Sequence, residues 1–347
     1  MNLNRLKLVN DINKVLPGIS VGNVTLEGAD SIVFRNNHLY SYNSAVSVDV
    51  ESSQEMNLTG VLKALDFYNC LVKLPDDEIE IDGDGDHWIV KSGKIKVKMN
   101  LLHPDNIRER FDNLAPNEGG WSALDGKEFQ SALKVCNMPR NNSKFAGVYF
   151  KGGTILSTDS YIINTYKLEC DVPEFWISNS AVAELLKWSN FVSVQINKMW
   201  LQFKSSDGTV FSVRCLDISQ FPFDKINQAV QATMANAPVL SSEFTETFYD
   251  SVNRAAVFSG DHEGHSVINV KIGPNGTVII GKRDSGEYEE IVSDIVSEKE
   301  FDLTLDILMI RDCQSIFKKF KLISRGENSI MIVLEHEKAF KMFGNIS

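Results

Sequence analysis

Apolar residues recur along this chain with two periods, and the periods alternate in a repeated order. In residues 4–16, Leu6, Val9, Ile12, Val15 and Leu16 fall at helical spacing, and Pro17-Gly18 ends the run. Short alternating stretches follow at 24–26, 31–35, 38–40 and 45–50, with Asn36-Asn37 as a turn, and they predict strands. A second helix is predicted over 58–70. Three strands then come at 78–81, 87–91 and 94–99, with 82–86 and Ser92-Gly93 as turns.

After a linker-like stretch at 107–120 the order restarts. Asp125 is a candidate N-cap, with Glu128 three residues on, for a helix running to about Cys136. Strands at 145–150, 154–157, 162–168 and 174–177 lead to a helix at 179–188 and strands at 192–196, 200–204 and 210–215. Residues 220–226 read as another connector. A third round begins with a helix at 242–258. Strands follow near 267–272, 277–282, 287–292 and 301–303, then a helix at 305–317 and strands at 320–323, 329–334 and 339–343. Corresponding helices start about 120 residues apart, too long for a solenoid unit, so the repeat is one of domains. The expected fold class is α+β, with three repeated domains at 1–118, 119–228 and 229–347. Each has two helices and about eight short antiparallel strands.

Composition narrows the options. The chain has 347 residues, 43% hydrophobic and 10% aromatic, enough for several ordinary cores. No apolar run approaches the length of a membrane span, and the N-terminus lacks the apolar core of a signal peptide, so a cytoplasmic protein is expected. Five scattered cysteines without a Cys-x-x-Cys pair read as free thiols. A net charge of −11 argues against a protein that simply coats DNA, yet allows one that gathers its basic residues on one face.

Several motifs suggest chemistry and fall short of it. Gly276-Thr-Val-Ile-Ile-Gly281-Lys282-Arg283 nearly fits a phosphate loop, but Arg283 stands where a magnesium-ligating Ser or Thr belongs, and the interior is strand-forming. Asp82-Gly-Asp-Gly-Asp86 imitates a calcium loop, with Gly93 where the closing Glu should be. Asp261-His-Glu-Gly-His265 has metal-capable side chains, but its histidines do not have the spacing of a helical zinc motif. Asn57-Leu-Thr59 and Asn141-Asn-Ser143 are glycosylation sequons without meaning in a cytosolic protein. No catalytic triad can be assembled, and no metal or cofactor is expected.

Three features remain. Lys94, Lys96 and Lys98 share one face of a strand whose other face carries Ile95, Val97 and Met99. Glu287-Tyr-Glu289-Glu290 is an acidic counterpart, preceded by a helix ending in Val257-Phe258. The two could pair between subunits, or be unrelated solvated edges on which charge prevents aggregation. Finally, Phe221-Pro222-Phe223, Tyr161-Ile-Ile163 and Met342-Phe343 are apolar groups in a connector, beside a turn and near the C-terminus. Such residues either pack on their own domain or form a binding groove.

At these residues the chain resembles the bacterial-type DNA sliding clamp, the beta subunit of the replicative polymerase. Ser251-Val-Asn-Arg254-Ala-Ala-Val-Phe258-Ser259 resembles the family's Ser-Arg-Ala-Ala helix end, and Gly286-Glu-Tyr-Glu-Glu-Ile its acidic strand. Ser157-Thr-Asp-Ser-Tyr161 resembles its Ala-Thr-Asp-Gly turn, Leu216-Asp-Ile-Ser-Gln-Phe221-Pro222 the segment ending Phe-Pro-Asp-Tyr, and Val90-Lys-Ser-Gly-Lys94 the Val-Arg-Ser-Gly-Arg hairpin. The resemblance runs the full length in order. Ser160 in place of Gly, Ile162 in place of a basic residue, a shortened connector and a C-terminus without Met-Pro all depart from it at the partner cleft, as expected of a divergent clamp such as one encoded by a bacteriophage.

The resemblance implies a non-enzymatic processivity factor. A head-to-tail homodimer would close as a ring of six domains around duplex DNA and hold it without sequence preference. Its partners would be a DNA polymerase and a clamp loader. Residues carried over for the peptide cleft are Phe145, Thr158, Ser160, Tyr161, Ile163, Pro222, Ile226, Met342 and Phe343. Those for the dimer interface are Lys94, Lys96, Val97, Met99, Val257, Phe258, Glu287, Glu289 and Glu290. Basic residues on or beside predicted helices, expected to face DNA, are Arg5, Lys7, Lys14, Lys63, Lys127, Lys134, Lys187, Arg254, Arg311 and Lys318. Two other readings stay open: a β-rich adaptor that does not encircle DNA, and a phosphate-handling enzyme lacking a recognisable base.

Overall fold

The computed structural model describes residues 1–347 apart from 23–25, 84, 104–106, 118, 138–143, 160, 263–264, 312–315, 327–328 and 345–347. One order of elements occurs three times, with one additional strand after the first helix of the third round. It begins with β1 (Asn2–Asn4), α1 (Arg5–Val15), β2 (Ser31–Arg35), β3 (His38–Tyr42), β4 (Val46–Glu51), β5 (Gly60–Lys63), α2 (Ala64–Lys73), β6 (Glu78–Gly83), β7 (His87–Ser92) and β8 (Ile95–Asn100). The connector holds α3 (Ile107–Leu114). The second round is β9 (Ser122–Ala123), α4 (Gly126–Cys136), β10 (Val148–Lys151), β11 (Thr154–Thr158), β12 (Ile162–Lys167), β13 (Phe175–Ile177), α5 (Asn179–Leu185), β14 (Phe191–Asn197), β15 (Trp200–Ser205) and β16 (Val210–Arg214). A connecting helix α6 (Phe223–Met234) leads to the third. This comprises β17 (Leu240–Glu243), α7 (Glu246–Ala255), β18 (Gly260–His262), β19 (His265–Gly273), β20 (Gly276–Arg283), β21 (Gly286–Val292), β22 (Phe301–Asp306), α8 (Ile307–Arg311), β23 (Lys319–Ser324), β24 (Ile330–His336) and β25 (Ala339–Gly344).

Each round supplies two half-sheets, one from its first and last three strands and one from its middle strands. In one sheet β5-β2-β3-β4 continues through a β4–β16 pair into β16-β15-β14-β9. In another β10-β11-β12 continues through a β12–β25 pair into β25-β24-β23-β17. Two half-sheets are left over: β1-β6-β7-β8, ending at β8, and β22-β19-β20-β21, ending at β21. All pairs named are antiparallel.

By spatial compactness the chain divides into two units, Met1–Gln130 with Cys170–Asp217 and Ser131–Glu169 with Ile218–Ser347. In the first, the inner sheet faces bury Phe34, Val48, Phe203 and Phe211. Phe34 packs edge-on against Trp88 at 4.9 Å. In the second unit Phe244 stacks on Phe320 at 4.4 Å. Caps fix the helix starts. Asn4 accepts from the Lys7 amide at 3.0 Å, Asp125 from the Lys127 and Glu128 amides, and Thr245 from the Phe248 amide at 3.1 Å. Asn36 and Asn37, at φ of 53° and 66°, form the expected tight turn.

Several expected elements change. Residues 60–63 of the helix expected at 58–70 are strand β5, paired with β2. Residues 242–243, the start of the helix expected at 242–258, instead end strand β17 and pair with β23, so that helix starts only after the Thr245 cap. The helix expected from 305 begins at Ile307, because Asp306 still pairs with Val267. The connector expected at 220–226 becomes helix α6, and α3 occupies part of the expected linker at 107–120. The expected strand at 24–26 falls largely outside the described residues.

Candidate functional site

The near-phosphate-loop is strand β20, as its composition implies. A side chain at Gly281 would lie 2.5 Å from the Ala255 carbonyl oxygen, so this glycine lets the end of α7 rest on the sheet. The aspartate-rich turn joins β6 to β7, and Asp82 binds Lys91 at 2.8 Å; Asp84 lies outside the described residues. Glu263 and Gly264 also lie outside them, as do Ser160, Cys313 and the Asn141-Asn-Ser143 sequon. Cys70, Cys136, Cys170 and Cys215 are free thiols, and burial pushes Cys215 up to about 11. Among the described residues no group of His, Cys, Asp and Glu could hold a metal, and no helix is long and apolar enough to cross a membrane.

The apolar groups converge on one face of the second unit's sheet. Thr158 stands opposite Ile163, Ile163 opposite Met342, and Met342 opposite Val333, making a row across four strands. Met342 and Val333 form an apolar cluster with Ile323, edged by Met331 and Phe340. Tyr149 is opposite Leu156, two residues before Thr158, and so shares this face. Phe221 stacks on Tyr149 at 4.5 Å and Phe223 at 5.3 Å, which anchors the start of α6 beside the row. Phe145 meets Phe221 edge-on at 6.0 Å. Pro222 caps α6, and the Ile226 amide donates to its carbonyl at 3.1 Å. Thr158 and Met342 are buried, Ile163 and Ile226 half-buried, and Tyr161 is 69% exposed. Asp159 shapes the turn by accepting from the Tyr161 and Ile162 amides.

One expected cleft residue moves elsewhere. Met342 and Phe343 are successive strand residues and point to opposite faces. Phe343 stands opposite Ile162 and Ile332, 1% exposed, in the core beneath the cleft.

Strands β8 and β21 are the terminal strands of their sheets. On β8, Lys96 and Lys98 are exposed while Val97 and Met99 are half-buried opposite Val90 and Trp88; Lys94 sits in the preceding turn. On β21, Glu287, Glu289 and Ile291 are exposed. Val257 is 66% exposed and Phe258 half-buried. Glu290 faces α7 instead, where Arg254 binds its two oxygens at 2.9 and 2.7 Å and the Tyr288 hydroxyl also donates. The Tyr288 hydroxyl and the Arg254 guanidinium hold the Glu290 carboxyl down at about 2, and the same contacts raise Arg254 above its ordinary value.

The cations expected to face DNA differ in freedom. Arg5 is tied to Asp77 at 3.1 Å and to the Asp76 and Leu71 carbonyls. Lys14 binds Asp207 at 2.7 Å, Lys63 binds Asp30, and Lys187 binds Glu184 at 2.8 Å. Arg254 is engaged by Glu290. Lys127 and Arg311 are exposed near helix ends and have interactions of their own. Lys7 on α1 and Lys134 on α4 are exposed, with no side-chain partner among the described residues. Lys318 instead lines a cavity beside α6.

No protein-family model matches the sequence, and no curated protein matches it. Solved structures do match, over the full chain. A DNA polymerase sliding clamp from Bacillus subtilis superposes with a TM-score of 0.82 at 17% identity, covering 100% of this chain and 98% of that one. A putative DNA polymerase III beta subunit from Eubacterium rectale gives 0.81 at 13%, covering 100% and 99%. The Helicobacter pylori beta clamp, in a structure bound to a DNA ligase peptide, gives 0.79 at 15%, also covering 100% and 99%.

The fold is that of a bacterial DNA sliding clamp. With this clamp fold in view, the residues that sequence reasoning missed are Tyr149, the platform for Phe221 and Phe223, Tyr288, which braces Arg254 and Glu290, and Val230 and Met234 on α6. A signal for α6 was present: Phe223, Ile226, Val230 and Met234 are spaced by three and four. The Phe-Pro-Phe start concealed it as a connector.

Proposed function

We propose that this chain is a DNA sliding clamp, a non-enzymatic processivity factor that closes as a head-to-tail dimer around duplex DNA in the cytoplasm. The observation that carries this reading is the pair of leftover half-sheets. Two of the half-sheets built from middle strands are completed by the last strand of another round, through β4–β16 and β12–β25. The same rule applied to the third joins β21 to β8 of a second copy, and two such junctions close a ring. Exposed Lys96 and Lys98 on one edge and Glu287 and Glu289 on the other give matching charge. Val97, Met99, Val257 and Phe258 would be buried, and they supply most of the energy, since rim ion pairs contribute about 0–1 kcal/mol each. Sedimentation of Phe258→Asp should show monomers; an unchanged dimer would place the interface elsewhere.

In this reading the domain boundaries are those of the sequence repeat, 1–118, 119–228 and 229–347. A clamp need not grip its DNA. Sparse, screened phosphate contacts from residues such as Lys7 and Lys134 suit sliding better than tight binding. Thr158, Ile163, Pro222, Ile226 and Met342 form the docking cleft for polymerase and clamp-loader peptides. Two apolar anchors at about 1.5–3 kcal/mol each supply at most about 6 kcal/mol before the cost of ordering, which corresponds to an affinity of tens of micromolar or weaker unless backbone and rim contacts add to it. The deciding experiment loads the protein on nicked circular DNA and then linearises it. A clamp persists on circles and runs off free ends.

The alternative of a β-rich adaptor draws support from one observation. Arg5, Lys14, Lys63, Lys187 and Arg254 are all engaged by carboxylates of the chain itself. Equal retention on linear and circular DNA, or none on either, would favour it.

A further inference from the structure

We infer that the peptide cleft continues into a basic groove along α6, and that this groove receives an acidic segment flanking the partner's apolar anchor. The inference rests on the reading of Thr158, Ile163, Pro222 and Met342 as a peptide cleft.

The strands carry the cleft onward. On the same face, Ile163 is followed by Thr165 and Lys167, and Met342 is preceded by Phe340; Lys338 sits in the turn before β25, its carbonyl accepting from the Lys167 amide at 2.7 Å. Thr165 stands opposite Phe340, so the row below the cleft is again a cross-strand pair. Helix α6 lies beside it, and a cavity of about 820 Å³ separates Val230 and Met234 from Thr165 and Phe340. Ile163 and Lys167 are four residues apart, about 13 Å along a strand. A partner seated against Ile163 and Met342 would therefore reach the lysines with about four further residues in extended form.

The charge of the groove selects the occupant. Lys167, Lys318, Lys319 and Lys338 line it. Lys338 is bound to Glu169 at 2.5 Å, and Lys319 lies 3.9 Å from Glu243. Lys167 and Lys318 are exposed and have no acidic partner among the described residues. Of the two lining glutamates, Glu335 is neutralised by Lys321 at 2.7 Å, and Glu337 is exposed. In a chain of net charge −11 this is a local reversal of sign beside an apolar cleft. Carboxylates placed there would gain charge-assisted hydrogen bonds to two lysines at once.

Two synthetic peptides test the inference by calorimetry on the full chain: one with leucine and phenylalanine anchors flanked by glutamates, the other with glutamines in their place. Wild-type protein should bind the glutamate peptide about tenfold more tightly at low salt, with the gap closing as salt rises. Lys167→Glu combined with Lys318→Glu, both at exposed positions, should erase the gap while leaving the glutamine peptide unchanged. Equal binding of the two peptides by wild type, or a gap that survives in the double variant, overturns the inference and leaves the cleft standing. If neither peptide binds wild type, the cleft itself falls and the groove with it. If the double variant keeps the gap but loses retention on circular DNA, the lysines serve DNA and the inference is overturned.

Discussion

The β4–β16 junction and the β12–β25 junction are built by the same strand order, yet their outer faces are finished in opposite ways. At the first, the face is polar and its own connector is stitched to it. Gln202 donates to the Leu114 carbonyl at 2.7 Å and Asn197 to the Ala115 carbonyl at 2.9 Å. Gln195 donates to Gln202 at 3.1 Å, and Arg35 binds Asp112 at 3.1 Å. Tyr40 packs on Phe111, and His38 pairs with Asp49 at 2.7 Å. At the second, the corresponding face presents Thr158, Ile163, Met342 and Phe340, and the connector anchors itself on Tyr149 before turning into α6. Hydrogen bonds to connector carbonyls hold the first face closed, because leaving those groups unpaired would cost free energy. In the proposed function, the half-buried Ile163, Phe340 and Ile226 at the second face are what a partner would cover.

The largest effect that would break this comparison is expected from Ile163→Asp. Placing a carboxylate in the apolar row should weaken partner-peptide binding about ten- to hundredfold by calorimetry, with little change in melting, since Ile163 is only half-buried. Gln202→Leu should do the reverse. It leaves the Leu114 carbonyl without its donor and should lower unfolding stability by about 1–3 kcal/mol in a denaturant titration, while peptide affinity stays unchanged. If Gln202→Leu instead weakened peptide binding, the first face would not be a purely internal closure. Arg35→Ala removes an exposed pair and should cost no more than about 1 kcal/mol.

The smallest signal is a pH dependence confined to the first face. The hydrogen bond that the His38 imidazolium donates to the Asp49 carboxylate raises the His38 pKa above its ordinary 6.5. A folded value above the unfolded one means that this stabilisation is complete below 6.5 and is lost as the pH rises through the raised value. Melting scans across that window should show a slight loss in wild type that His38→Gln abolishes.

Much of this molecule was legible in the residues. The alternation of helical and strand periods gave three rounds of one element order, and Asp125, Asn36-Asn37 and Ser92-Gly93 marked boundaries the structure keeps. Local chemistry decides these features: a cap or a tight turn needs only its neighbours in sequence. The misreadings cluster where tertiary partners override the local pattern. Residues 60–63 carry an apolar pattern that also suits a helix, but β2 offers them an edge to pair with. Residues 242–243 become strand for the same reason, opposite β23.

The site was legible in its members more than in its geometry. Ile163, Pro222 and Met342 stand out in sequence as apolar groups in exposed-looking places, whereas Phe343 shares their composition and belongs to the core. Only the strand register separates Met342 from Phe343, because a side chain's face is set by pairing and not by hydrophobicity. Arg254 likewise reads as a free cation on a helix until Tyr288 and Glu290, more than thirty residues away, are seen to hold it. By itself the sequence determined the repeated order of elements, the caps and tight turns that bound them, and the charge of the two edges. The tertiary structure decided which faces are closed, which cations are free and where α6 lies, since each depends on contacts between residues far apart in the chain.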